Sequence, residues 1–165
     1  MTAASTLTGV HALRSRLSAG QELAFAETLA AIAADFEYTP KQFVNGGVES
    51  AAGSNEGSCE VFSLGKLAGF SEAEVLACFG EHYQQVLGDP AGTSHGNIRA
   101  FMKHGWAVVD FPDSVALEPS GALAGIKALR ARFSAGQSEL AFAETLAAIA
   151  ADFETLLTLS DRSVT

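Results

Sequence analysis

Cys59 is the side chain in this sequence with the most chemical potential. Asn55-Glu56-Gly57-Ser58-Cys59 reads as a small polar loop, with Ser58 capping a helix over 59–68 that Gly69 stops. A thiol in the first turn of a helix lies near unsatisfied backbone N–H groups and the positive end of the helix dipole, and both favour the thiolate. Gly57 and Ser58 leave room for a substrate to approach the backbone. A cysteine nucleophile also needs a base and a group that orients it. The sequence offers His95 or His104 as base, with Asn97 or Asp89 as orienter. His95 and Asn97 share a loop-to-helix junction, where functional groups concentrate. Glu60 works against activation, because a neighbouring carboxylate raises a thiol pKa. A second reading makes Cys59 a small half-buried hydrophobe at a tight helix entry.

Other residues carry binding rather than reaction chemistry. Asn55, Glu56 and Ser58 make a polar turn that could hold a small ligand or a partner's backbone, or could satisfy the loop's own backbone groups. Trp106, the single tryptophan, is either a core anchor or an interface hot spot. His104 precedes Gly105, where a positive charge would also suit the C-terminal end of a helix. Cys78 and His82 stand at i,i+4, but two ligands without a third do not make a metal site. No phosphate-binding loop, dinucleotide fingerprint or zinc-protease motif is present, so no cofactor and no metal are expected.

Composition narrows the partners. With 19 acidic against 10 basic residues, the formal charge of −9 repels phosphate backbones and anionic lipid, which disfavours nucleic-acid binding and membrane docking. No apolar run approaches the ~20 residues needed to span a bilayer, so no membrane insertion is expected. A hydrophobic content of 48% is enough for a core without disulfides. Two cysteines in such a chain suit a reducing, cytoplasmic setting for a soluble protein.

The elements that must position these residues are mostly helices. A short helix over 9–18 is followed by a second, opened by a Ser18/Gln21 capping box and running through Phe36. Pro40 ends it. Asn45-Gly46 between short alternating runs predicts a hairpin over 41–50. Ser71 and Glu74 make another capping box, opening a helix with the stripe Val75, Phe79, Tyr83 and Val86 that ends at Gly88-Asp89-Pro90. A short helix carries Ile98, Phe101 and Met102, and Trp106–Phe111 is a strand candidate. The expected class is α+β and helix-dominated: a compact helical domain with a small β-hairpin or short sheet, plus a C-terminal helical hairpin.

That last hairpin is an internal repeat. ALRSRLSAGQELAFAETLAAIAADFE, from Ala12 to Glu37, returns from Ala128 to Glu154 with two substitutions and one inserted residue, Ser138. Polar positions match as closely as apolar ones, which points to copying rather than selection for packing alone. Both copies carry one apolar helical face: Phe25, Leu29, Ile32 and Phe36, then Phe142, Leu146, Ile149 and Phe153. The second copy either packs on the domain, competes for the first copy's place in a monomer or a domain-swapped dimer, or is an exposed tail.

Several clusters together resemble the HopJ type III effector family. They are Leu13-Arg14-Ser15-Arg16-Leu17, Phe25-Ala26-Glu27-Thr28, Tyr38-Thr39-Pro40, Phe43, Asn45-Gly46 and Asn55 to Cys59. Further on come Leu76 to Tyr83, Asp89-Pro90, Phe101 to Trp106 and Phe111. The resemblance implies a HopJ-like domain over 7–111; beyond it the sequence reads as a linker over 112–119 and the duplicated hairpin over 120–158, which sets this chain apart from the family pattern. It implies no settled reaction, and the family name adds export into a host cell. Two functions are carried forward. One is a non-enzymatic domain that binds a protein partner; the other is a cysteine-dependent hydrolase or transferase using Cys59 with His95 or His104. Removing residues 119–165 is expected to leave a folded domain.

Overall fold

The computed structural model describes residues 7–120. Two antiparallel helices open it, α1 (Thr8–Ser18) and α2 (Phe25–Asp35). They cross closely at Gly9, where any Cβ would run into the Ala31 carbonyl. The start of α1 has no capping side chain of its own. Instead the buried carboxylate of Asp35 accepts hydrogen bonds from the Gly9 N–H (3.1 Å) and the Val10 N–H (2.7 Å). An acid at a helix N-terminus satisfies orphan donors and complements the dipole.

The second helix starts later than the sequence suggests. Ser18 and Gln21 form no capping box; the Gln21 side chain accepts from Arg16 Nε, and Gly20 turns the chain at φ +68°. Leu23 is then drawn into the core, which holds Ala24 extended and delays the helix to Phe25. Glu27 accepts from the Ala24 N–H at 2.8 Å, so the reciprocal half of a capping box forms six residues later than expected. Phe36 leaves the helix and begins a strand.

Strand β1 (Phe36–Tyr38) leads to a hairpin of β2 (Phe43–Asn45) and β3 (Val48–Ser50) turned by Gly46-Gly47. Helix α3 (Glu56–Ala68) follows and ends at Gly69 in the left-handed region. The Ser71/Glu74 capping box forms in full and opens α4 (Glu72–Cys78). The expected single helix through Val86 is broken at Gly80, with α5 (Glu81–Gly88) beyond it. The cause lies elsewhere in the chain. A Cβ at Gly80 would stand 2.6 Å from the Leu23 carbonyl oxygen and the Phe25 nitrogen, and Gly80 adopts φ +54°. Glu81 then accepts from the Phe25 N–H at 2.7 Å, and Thr28 Oγ1 donates to the Cys78 carbonyl at 2.7 Å.

Helix α6 (Gly96–His104) runs into a 3₁₀ turn (Gly105–Val108), where a strand was expected, and only β4 (Val109–Asp110) is extended. β4 pairs antiparallel with β2, giving the order β3-β2-β4. The segment expected to be a linker, 112–119, is part of the fold. Its β5 (Leu117–Pro119) pairs antiparallel with β1, with Phe36 opposite Pro119 and Tyr38 opposite Leu117. Ala116 and Leu117 are core residues, and the Ser120 N–H donates to the Asp35 carbonyl at 2.7 Å. The duplicated hairpin lies outside the described residues.

The helix-dominated α+β expectation therefore holds for the domain, while its C-terminal boundary moves from Phe111 to Ser120. A chain ending after Ser120 is expected to melt cooperatively. One ending after Phe111 exposes the core under Leu117 and is expected to lose roughly 3 kcal/mol or more. Equal melting of the two truncations would show that β5 is dispensable.

Candidate functional site

Two helices and one helix joint meet at a small cleft of about 190 Å³. The first wall is the start of α3. Its N-cap, Asn55, sits in the left-handed region (φ 51°, ψ 44°), which asparagine tolerates better than most residues. Its Nδ2 donates to Ser50 Oγ at 2.9 Å, tying the helix start to the β-hairpin. Gly57 gives the Phe25 ring space to lie on the first turn, since a Cβ there would stand 2.6 Å from Phe25 Cζ. The second wall is the start of α6, whose N-cap His95 is also left-handed (φ 54°, ψ 51°). Asn55 and His95 are the two non-glycine residues with positive φ among those described. Such conformations persist where the surrounding structure enforces them, and they cluster at functional sites.

The third wall comes from the joint at Gly80, which places His82 at the cleft. Phe25 packs edge-on to His82 (centroids 4.8 Å apart), and the His82 and His95 rings lie 5.0 Å apart. His95 Nε2 lies 2.8 Å from Gln85 Oε1, whereas His82 Nδ1 is sealed from solvent with no hydrogen-bond partner. Asn97 is 6% exposed and is held by Asn45 of β2. Asn45 Nδ2 donates to the Asn97 carbonyl at 2.7 Å and to its Oδ1 at 3.2 Å.

The cleft thus gathers Asn55, Ser58, His95 and Asn97 from the residues singled out in the sequence. It leaves out Cys59, Glu56, His104 and Trp106. Ser58 is not the cap of α3: the helix begins at Glu56, which moves Cys59 past the first turn. The Cys59 N–H already donates to the Asn55 carbonyl, so the expected first-turn activation of the thiol has no structural basis. The side chain is 1% exposed, and its Sγ donates to the Lys41 carbonyl at 3.5 Å. Burial pushes the thiol pKa up; the contacts with Lys41 and Tyr38 pull it down, and Glu60 and Glu56 push it up further. Among the described residues no histidine bonds it. Asn97 is engaged with Asn45 rather than orienting a base.

Glu56 accepts from Tyr38 OH at 3.5 Å. His104 is exposed in the last turn of α6. Trp106 packs on Phe62 and Phe101 and donates to the Phe70 carbonyl at 3.1 Å, over a Gly65 that leaves space for its ring. It behaves as a core anchor. Cys78 is buried with its thiol pushed up to about 12, chiefly by desolvation. The break at Gly80 takes His82 out of helical register with it. No group of three or more His, Cys, Asp or Glu able to hold a metal occurs among the described residues. No described helix is long and apolar enough to cross a membrane.

Sequence reasoning treated His82 only as a weak metal ligand and Asn45 only as a turn residue. Their roles depend on contacts across the fold, Phe25 with His82 and Asn45 with Asn97. The one local signal was Asn55 itself, an asparagine in a small polar loop before a helix.

A raised, buried thiol predicts slow chemistry. In the native protein, alkylation of Cys59 is expected to stay slow at neutral pH and to accelerate only on unfolding, with Cys59→Ser and Cys78→Ser assigning the signals. Fast reaction of Cys59 well below about pH 8.5, the ordinary thiol value, would contradict its placement.

The HopJ type III effector protein family model matches residues 10–117, from within α1 into β5. The crystal structure of the unknown-function protein VPA0580 is similar, with a TM-score of 0.62 and 35% identity; the similarity covers 69% of this chain and 92% of that one. No curated protein matches. The family match spans both sheets and every helix that builds the cleft, and the chain belongs to the HopJ type III effector family.

Proposed function

We propose that this protein is a non-enzymatic, protein-binding domain of the HopJ family, in which the cysteine is a packing residue. The observation that carries this reading is an open, largely apolar groove of about 510 Å³ between the α1–α2 turn and the α4–α5 joint. Leu17, Leu23, Ala77 and Tyr83 supply apolar surface there, and Glu22 and Glu81 stand at the rim. A groove of this size suits the apolar face of a partner segment. The acidic rim and the net charge of −9 favour a partner with basic residues flanking its apolar anchor. Family membership supports a host protein as that partner.

The alternative of a hydrolase or transferase using Cys59 with His95 or His104 draws no support from the geometry. A thiol that bonds a backbone carbonyl, with no histidine on it, has no base.

Ala24→Arg and Gln84→Arg project long charged side chains from exposed positions into the groove. Each is expected to weaken binding of a partner captured by crosslinking by roughly tenfold or more, with melting unchanged, while Cys59→Ser binds normally. The reading fails if both groove variants bind like the unaltered protein, or if Cys59→Ser abolishes a measurable turnover.

A further inference from the structure

The chain carries the hairpin sequence twice, and the described domain has one place that fits it, the one held by α1 and α2. We propose that residues 123–153 are a second occupant of that place, and that the two copies exchange there within one molecule.

The surface under α1 and α2 is specific. Arg14 donates to the carbonyls of Ala68 (3.0 Å) and Gly69 (3.3 Å), pairs with Glu74 at 3.6 Å and lies over the Phe70 ring. Thr28 is buried and donates to the Cys78 carbonyl. Phe25 fills the space over Gly57, and its N–H donates to Glu81. Within the hairpin, Gly9 lets α1 touch α2 and Asp35 caps α1. Each of these side chains returns in the second copy, as Arg130, Thr145, Phe142, Gly125 and Asp152. The buried Leu13, Leu23 and Ile32 return as Leu129, Leu140 and Ile149, and Val10 becomes Ile126, a small increase in volume.

The differences fall mostly where the surface does not reach. Thr8, His11 and Ser15 are exposed, and they become Ala124, Lys127 and Ala131. The inserted Ser138 falls in the turn, whose residues 18–22 in the first copy are all exposed, and an exposed turn takes an extra residue at little cost. A surface that accepts one copy has the contacts to accept the other.

The second copy also starts in the right place. The Ser120 N–H donates to the Asp35 carbonyl, while the Asp35 carboxylate receives Gly9 and Val10 at the start of α1. The chain therefore leaves the described domain one residue's breadth from where α1 begins. Gly125 follows Ser120 by five residues, a reach of about 17 Å when extended. So short a tether presents the second copy at an effective concentration of about a millimolar, above that of a second molecule in dilute solution. Exchange between molecules gains nothing in number, because every chain brings two copies and one place for them. The first copy keeps an advantage: it runs on into β1, whereas Thr155 stands where β1 has Tyr38.

Exchange would alter the groove described above, a consequence that rests on that reading where the exchange itself does not. Leu17 and the turn up to Ala24 form one wall of the groove. The second copy has Phe133 in place of Leu17 and one residue more in the turn. One chain would then offer its partner two forms of the groove.

The test is thermal melting of the full chain carrying Gly9→Val, Gly125→Val or both. A side chain at Gly9 collides with the Ala31 carbonyl, and one at Gly125 meets Ala148 in the equivalent packing. Each single variant is expected to melt within about 3 °C of the unaltered protein, because the intact copy takes the place. The double variant is expected to melt roughly 10 °C lower or more. Hydrogen exchange read by mass then identifies the occupant, since residues 10–17 and 126–133 differ in sequence. In Gly9→Val, protection is expected to pass from 10–17 to 126–133. The exchange is overturned if either single variant melts as low as the double, if the double melts like the singles, or if protection of 126–133 does not rise. Stability of Gly9→Val that falls away on dilution would place the second copy on another molecule, and would equally overturn exchange within one chain.

Discussion

Phe62 is the contact on which the rest of the structure depends. It lies in the middle of α3 with no exposed surface, and rings from four separate elements close on it. Phe43 of β2 stands 5.9 Å away, Phe79 at the α4–α5 joint 5.6 Å, Phe101 of α6 5.2 Å and Trp106 of the 3₁₀ turn 6.3 Å. Burying a phenylalanine contributes about 1.5–3 kcal/mol, and each well-placed aromatic pair adds about 0.5–1.5 kcal/mol. Spread over this cluster, the interaction fixes where α3 and α6 lie relative to each other. Their N-termini then have no freedom to turn away from the space between them. The cleft is a consequence of the core.

A second set of contacts trims that space. Phe25 lies on the first turn of α3 because Gly57 has no side chain, and it also stacks on Phe79 and meets His82. The Asn45–Asn97 bonds join the sheet to α6. At the far end, Asp35 joins three parts of the chain. Its carboxylate receives the start of α1, and its carbonyl receives Ser120 at the end of the described domain. That is why 112–119, polar enough to read as a linker, is structural.

What could be read from the sequence was local chemistry. Ser71 and Glu74 formed the two reciprocal bonds expected of them, and the glycine pair after Asn45 turned the hairpin. What could not be read was set by distant chain segments. The stripe Val75, Phe79, Tyr83, Val86 fits one helix, yet the backbone of Leu23–Phe25 passes so close to Gly80 that the helix must break. Ser58 had the right chemistry for an N-cap, but Asn55, held by Ser50, took the position three residues earlier. That shift is what separates Cys59 from a reactive first-turn thiol. The left-handed state of His95 left no mark in the sequence, because histidine, though commoner there than most side chains, takes it up in only a small minority of cases and no glycine stands at that position.

The aromatic core holds the N-termini of α3 and α6 on one cleft with no side-chain cap on either, and it leaves Cys59 beyond the first turn. Residue-resolved amide hydrogen exchange on the ligand-free protein tests that most directly. The amides of Gly57, Ser58 and Gly96 should exchange far faster than those of Cys59 and Arg99, which donate to the Asn55 and His95 carbonyls. Equal protection of the two sets would mean that the first amides already have acceptors, and the cleft would then have no open donors to offer.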